Sequence, residues 1–131
     1  MSIRPTEIRL HQASRVLELV FGENQIFRLP CEYLRVFSPS AEVQGHGPGQ
    51  DVLQHGKEEV NITAIEPVGH YAIKLIFDDG HNTGLYTWEY LHHLATRQEQ
   101  NWQHYLNRLH QAGIHRKDTA TSARRAPFYP A

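Results

Sequence analysis

The sequence predicts an α+β fold: a mainly antiparallel β-sheet, a short helix after the third strand and a longer helix near the C-terminus. Three observations predict it. Apolar residues alternate with polar ones at a period of two in short runs up to Leu29 and again from Val60 to Phe77. Glycine, asparagine and aspartate punctuate those runs at hairpin distances. From Trp88 onward the apolar spacing changes to three and four, which is the stripe of an amphipathic helix.

Thr6 to His11 alternate through Ile8 and Leu10 and read as a first strand, with His11 to Ser14 as its turn. Arg15 to Phe21 form the second strand, with Leu17, Leu19 and Phe21 on one face. Gly22, Glu23 and Asn24 turn the chain into a third strand, Gln25 to Leu29. Pro30 then suits the first position of a helical segment running to Phe37, anchored by Tyr33, Leu34 and Phe37. Ser38 to Glu58 scatter proline and glycine among polar residues and read as a long loop. A connection of that length in a compact domain is either functional or disordered.

Val60 to Val68 return to strand alternation. In HYAIKLIFDDGHNTGLYTWEYLHHL, His70 to Leu94, a strand places Tyr71, Ile73, Leu75 and Phe77 on one face and Ala72, Lys74 and Ile76 on the other. Asp78, Asp79 and Gly80 supply the turn, and Leu85 and Tyr86 return. Thr87 stands where a hydroxyl caps a helix, with Glu89 at its positive end. Trp88, Leu91 and Ala95, then Trp102, Leu106 and Leu109, continue the stripe, and the polar run Thr96 to Gln100 marks a kink or a division into two helices. Gly113, with Ile114 packing back, is a Schellman ending. Residues 1–115 are read as the domain and 116–131 as a disordered tail.

The 131 residues suffice for one core without disulfides. Thirteen Lys and Arg against fourteen Asp and Glu give no bulk field for nucleic acid or an anionic membrane. A lone cysteine, Cys31, excludes an internal disulfide and a cysteine-rich zinc site, and fits a reducing cytoplasm. No membrane span or signal peptide is legible, so a soluble cytoplasmic protein is expected.

SPSAEVQGHGPGQ at Ser38 to Gln50 and DDGHNTGLYTWEYL at Asp78 to Leu91 carry a resemblance over about residues 5 to 115. They resemble the gamma-butyrobetaine-hydroxylase-like N-terminal domain family. The resemblance implies a small accessory domain, found ahead of an iron and 2-oxoglutarate oxygenase barrel, on iron–sulfur-cluster carriers, and as free-standing bacterial proteins. It also implies a zinc holder of three cysteines and a histidine. His81 matches the metal histidine and Tyr33, Leu34 and Arg35 match the segment before the cysteines, whereas the cysteine positions fall near Ser38, Ser40 and Val43. Serine and valine do not replace three thiolates as soft ligands, so that zinc site is expected to be absent.

None of the ten histidines has Asp or Glu two residues on, so the iron triad of an oxygenase is missing, and no catalytic residue is assigned. The candidate metal ligands are His81, His46 and His55, as imidazoles for zinc or iron. Set against this, histidine at a turn or in a glycine-rich loop is most often a hydrogen-bonding surface residue, and these glycines match no phosphate-binding fingerprint. Cys31 has no CxxC partner and reads as a buried thiol. His92 and His93 point about 100° apart on a helix and do not share a ligand. Trp102 and Tyr105 read as core or interface anchors. Arg116, Lys117, Arg124 and Arg125 are too few for nucleic-acid binding. The expected function is a non-enzymatic accessory module with a protein partner, associated with an oxygenase or iron–sulfur cluster assembly. The alternative is a small metal-binding protein or metal-dependent enzyme using His46 and His81.

Overall fold

The computed structural model describes residues 3–45, 47 and 49–117. The opening meander is β1 (Glu7–His11), β2 (Val16–Phe21) and β3 (Gln25–Pro30), antiparallel in the order β1-β2-β3. α1 (Cys31–Val36) follows, then one helical turn, α2 (Ala41–Gln44). A second antiparallel sheet, in the order β4-β5-β6, contains β4 (Ile62–Val68), β5 (Ala72–Phe77) and β6 (Leu85–Thr87). α3 (Trp88–Thr96) and α4 (Gln98–Gln111) complete the described chain. The fold is therefore α+β as expected, but its strands are divided between two sheets of three.

The division and the core have one cause. Leu17, Leu19 and Phe21 of β2, Ile73, Leu75 and Phe77 of β5, and Leu91 and Leu94 of α3 are all at most 3% exposed and belong to one apolar cluster. Two short sheets facing a shared core bury these residues without a long twisted sheet. Away from that core, the register sets Glu18 between Arg9 and Arg28 across three strands. Those two guanidiniums and His11 approach the Glu18 carboxylate, the side chain of which is only 8% exposed.

Local departures from the expectations have local reasons. Pro30 takes the N-cap position of α1 rather than its first helical position, because its extended backbone (φ −61°, ψ 145°) also completes β3. Tyr71 precedes β5 in the turn and is 53% exposed, so it leaves the core face shared by Ile73, Leu75 and Phe77. The long loop is shorter than expected, because Ser40 caps α2 by accepting a hydrogen bond from Glu42 N–H. The polar run after Thr96 divides two helices, with Arg97 between them. Gly113 (φ +71°) makes the Schellman pair, Gly113 N–H to His110 O and Ile114 N–H to Leu109 O. The tail expectation for 118–131 lies outside the described residues. Arg116 and Lys117 are held, the first on both oxygens of Glu32 and the second on Glu59.

The joint between β6 and α3 yields a first prediction. Thr87 Oγ1 accepts from Tyr90 N–H at 3.1 Å, while Trp88 is half-buried and its Nε1–H donates to His70 O at 2.7 Å. Thr87→Ala is expected to cost about 1 kcal/mol by loss of the cap. Trp88→Ala is expected to cost about 2 kcal/mol, below the range for a fully buried indole. Urea melts of the two variants check both values, and a Trp88→Ala variant as stable as the parent would show that the indole adds nothing to the core.

Candidate functional site: the Ser38–His81–Glu42 network

Three segments meet at His81. Ser38 follows α1, where Tyr86 and Tyr90 donate their hydroxyls to Leu34 O and Phe37 O and satisfy carbonyls that the helix end leaves open. Pro39 and the capped turn of α2 then bring Glu42 round beside Ser38, with Val43 facing inward at 4% exposure. Gly45 (φ +77°) ends α2 where the chain folds so tightly that a Cβ would lie 2.3 Å from Gln50 O. His81 arrives from the β5–β6 turn, where Phe77 N–H donates to His81 O and Asp79 Oδ1 accepts from His81 N–H.

The side chain of His81 is 3% exposed. Its Nδ1 lies 3.0 Å from Glu42 Oε1 and its Nε2 lies 2.8 Å from Ser38 Oγ. An ionised carboxylate only accepts, so Nδ1 carries the proton and Nε2 accepts from the Ser38 hydroxyl. Ser38 Oγ in turn accepts from Ser40 N–H at 3.2 Å, and Ser40 Oγ pairs with Thr83 Oγ1 at 2.6 Å. Burial lowers the His81 pKa, helped by the charge of Arg35 and opposed by Glu42, so the imidazole is held neutral. A histidine with a depressed folded pKa adds stability that is complete above its ordinary value of about 6.5 and declines as the pH falls below it.

Serine, histidine and carboxylate in this order are the bonding pattern of a nucleophilic triad. Access decides against that chemistry. Ser38 is 0% exposed, and a Cβ on Gly84 would lie only 2.5 Å from its Oγ. No space remains beside the hydroxyl for an acyl group, so the network ties α2 to the β5–β6 turn and does not reach a substrate.

Arg35, in α1, forms a second knot. Its Nε donates to Asp79 Oδ2 at 2.9 Å and its Nη1 to Gln54 Oε1 at 3.0 Å, while Lys57 Nζ reaches the same Asp79 oxygen at 2.7 Å. Burial would raise the Asp79 pKa, but Lys57, the His81 N–H and Arg35 overcome it and hold the carboxyl at about 2. The connection between α2 and β4 is further tied down by Tyr105 Oη to Gln54 O and by Arg108 to Asp51. Asp51, Gln54 and Lys57 therefore make that segment a strap over α1 and α4.

The sequence candidates meet different fates. His81 sits in the network, His55 is exposed on the strap, and His46 lies outside the described residues. Ser38 and Ser40 do come to His81, at the positions where the resemblance implies cysteines, but they offer hydroxyls already engaged in hydrogen bonds. The residues present do not fit a zinc holder: both His81 nitrogens are occupied and Val43 has no donor atom. Among the described residues no group of three His, Cys, Asp or Glu side chains is placed to hold a metal ion. The protein is expected to stay folded, with an unchanged melting temperature, in excess chelator. A chelator-induced fall of several degrees would show that a metal supports the fold.

Cys31 is fully buried, and burial pushes its thiol up to about 11, so it is a poor nucleophile at neutral pH. His92 packs edge-on against Phe21 at 5.0 Å while His93 is exposed, as their helical offset requires. Sequence reasoning missed Glu42, Arg35 and Asp79 as members of these networks. The one available signal was Ser40 ahead of Ala41 and Glu42, a capping pattern that placed a carboxylate within one turn of Ser38.

Comparison with known proteins agrees with this architecture. No curated protein matches the chain. Two proteins solved by solution NMR are 52% and 51% identical to it, with TM-scores of 0.77 and 0.75; they cover 90% and 91% of this chain and 95% and 91% of their own. A crystal structure from Acidithiobacillus ferrooxidans, described as a protein of unknown function in the DUF971 family, is 44% identical with a TM-score of 0.58, covering 70% of this chain and 91% of that one. The model of the gamma-butyrobetaine hydroxylase-like, N-terminal family matches residues 8–92. Since that match spans the meander, both networks and the start of α3, the chain belongs to the gamma-butyrobetaine hydroxylase-like N-terminal domain family.

Proposed function

We propose that the protein is a non-enzymatic accessory module that binds a protein partner, an oxygenase or a component of iron–sulfur cluster assembly. The supporting observation is the face of β4–β5–β6 turned away from the core. Antiparallel sheets with one open face normally alternate apolar-in and polar-out. Here the register puts Ala64 beside Ile76, Glu66 beside Lys74 and Leu85, and Val68 beside a fully buried Ala72 on the face away from Ile73 and Leu75. Leu85 is 38% exposed, Ile76 and Val68 are half-buried, and Lys74 with Glu66 at 3.6 Å makes one ion pair among them. A sheet face on which Ile76, Val68 and Leu85 surround a single Glu66–Lys74 ion pair is more apolar than a solvated face needs to be, as a protein contact is.

The test is a photo-crosslinking residue placed at Leu85 in cells, with one at the exposed turn position Glu23 as control. A protein adduct at 85 that is identified as an oxygenase or an iron–sulfur assembly component, and that Ile76→Lys abolishes, is the expected result. The same adducts from both positions, or none from 85, would contradict the reading.

A further inference from the structure

A groove separate from that sheet face lies between α1, α2, the strap and α4. Val36, Phe37, Val43, Leu53 and Tyr105 line it, Val52 stands at its lip at 54% exposure, and its volume is about 160 Å³. A cavity of about 150 Å³ holds one benzene ring, so this groove has room for a single aromatic side chain.

We propose that its occupant is the chain's own C-terminal segment, with Phe128 or Tyr129 of Ala126-Pro127-Phe128-Tyr129-Pro130 seated in the groove. Three observations carry this. Phe128 and Tyr129 are the only aromatic residues after Tyr105, and they are flanked by Pro127 and Pro130. Proline disfavours helical backbone at the residue before it, here Tyr129, and extended backbone presents a ring to a groove at low entropic cost.

The described chain ends beside the strap that forms the groove wall: Lys117 N–H donates to Glu58, and its ammonium pairs with Glu59. Phe128 lies eleven residues beyond Lys117, a reach of up to about 36 Å, well beyond the roughly 13 Å radius of gyration of a 100-residue domain. Tethering at such a length gives an effective concentration of the order of millimolar, so a ring contact of millimolar affinity is populated.

Charge agrees as well. Asp51 is already neutralised by Arg108, but Glu42, next to Val43, faces a neutral His81 and is 63% exposed. Arg124 and Arg125 immediately precede the aromatic segment and supply its counter-charge.

The experiment is methyl and aromatic NMR on the full chain, on a chain ending at Lys117, and on Phe128→Ala/Tyr129→Ala. The full chain is expected to show contacts between a tail ring and the methyls of Val43, Val52 or Leu53 that do not change on tenfold dilution. Truncation and the double substitution are expected to shift those methyls alone, leaving the Leu17 and Leu75 methyls in place as evidence of an intact fold. Absence of the contacts, or lining methyls unmoved by truncation, would overturn the proposal. Contacts that fade on dilution, or that appear between differently labelled chains, would overturn it in favour of a second copy as the tail's donor.

Discussion

Asp79→Ala is expected to destabilise the protein by about 2 to 4 kcal/mol, somewhat below the usual consequence of removing one partner from a fully buried ion pair, because Asp79 itself is 23% exposed. The Arg35 side chain is only 8% exposed and Lys57 bonds the same carboxylate oxygen, so the variant leaves a buried guanidinium beside a second cation. A loss of that size is a large part of a typical domain's 5 to 15 kcal/mol. Arg35→Met in the same chain is expected to recover part of it, because the uncompensated charge is then gone. Urea denaturation of the single and double variants measures both, and a single-variant loss below about 1 kcal/mol would mean that water reaches Arg35.

The same pair sets an acid limit. The folded carboxyl titrates at about 2 against an ordinary 3.8, so its contribution is complete above pH 3.8 and is lost as the pH falls from there toward 2. Partial exposure screens the interaction, and about 1 to 2 kcal/mol is expected to disappear over that interval.

Gly84→Ala is the second large effect, at about 2 to 3 kcal/mol. The new methyl would meet Ser38 Oγ at 2.5 Å and the Tyr86 ring at 3.1 Å. Ser38 has no room to yield, because His81 Nε2 and Ser40 N–H fix its hydroxyl from two sides. The substitution is therefore expected to be much less costly in a Ser38→Ala background, where the obstructing oxygen is absent. A double-mutant cycle by thermal or urea melts reads the coupling, and strictly additive losses would show that the two residues do not press on each other.

The sequence disclosed the parts of this fold that are periodic or punctuated. The alternation of Leu17, Leu19 and Phe21, the turn at Asp78 to Gly80, the cap at Thr87 and the stop at Gly113 each depend on residues adjacent in the chain. The division into two sheets was not legible, because the contacts that join them, such as Gln12 Nε2–H to Ile62 O and Asn61 Nδ2–H to Gln12 O, link residues about 50 apart in the chain. The site was half legible. His81 was recognisable from its motif and Ser38 from the position of an implied cysteine, but Glu42 entered only through the helical turn that Ser40 caps. Arg35 and Asp79 lie 44 residues apart and show no pattern in sequence. Tyr71 was misplaced because period-two reading runs on past the end of a strand, and a turn residue satisfies the alternation without sharing the face.

His81 is hydrogen-bonded at both ring nitrogens, to Ser38 and to Glu42, and is expected to stay neutral and to leave zinc unbound at pH 7. Long-range proton–nitrogen NMR of the His81 imidazole at pH 7, recorded before and after one equivalent of Zn²⁺, reads both properties. A single tautomer protonated at Nδ1, with Nε2 accepting a hydrogen bond and neither nitrogen moved by zinc, is the predicted result. A tautomer protonated at Nε2, fast averaging between the two, or a zinc-induced shift at either nitrogen would contradict it.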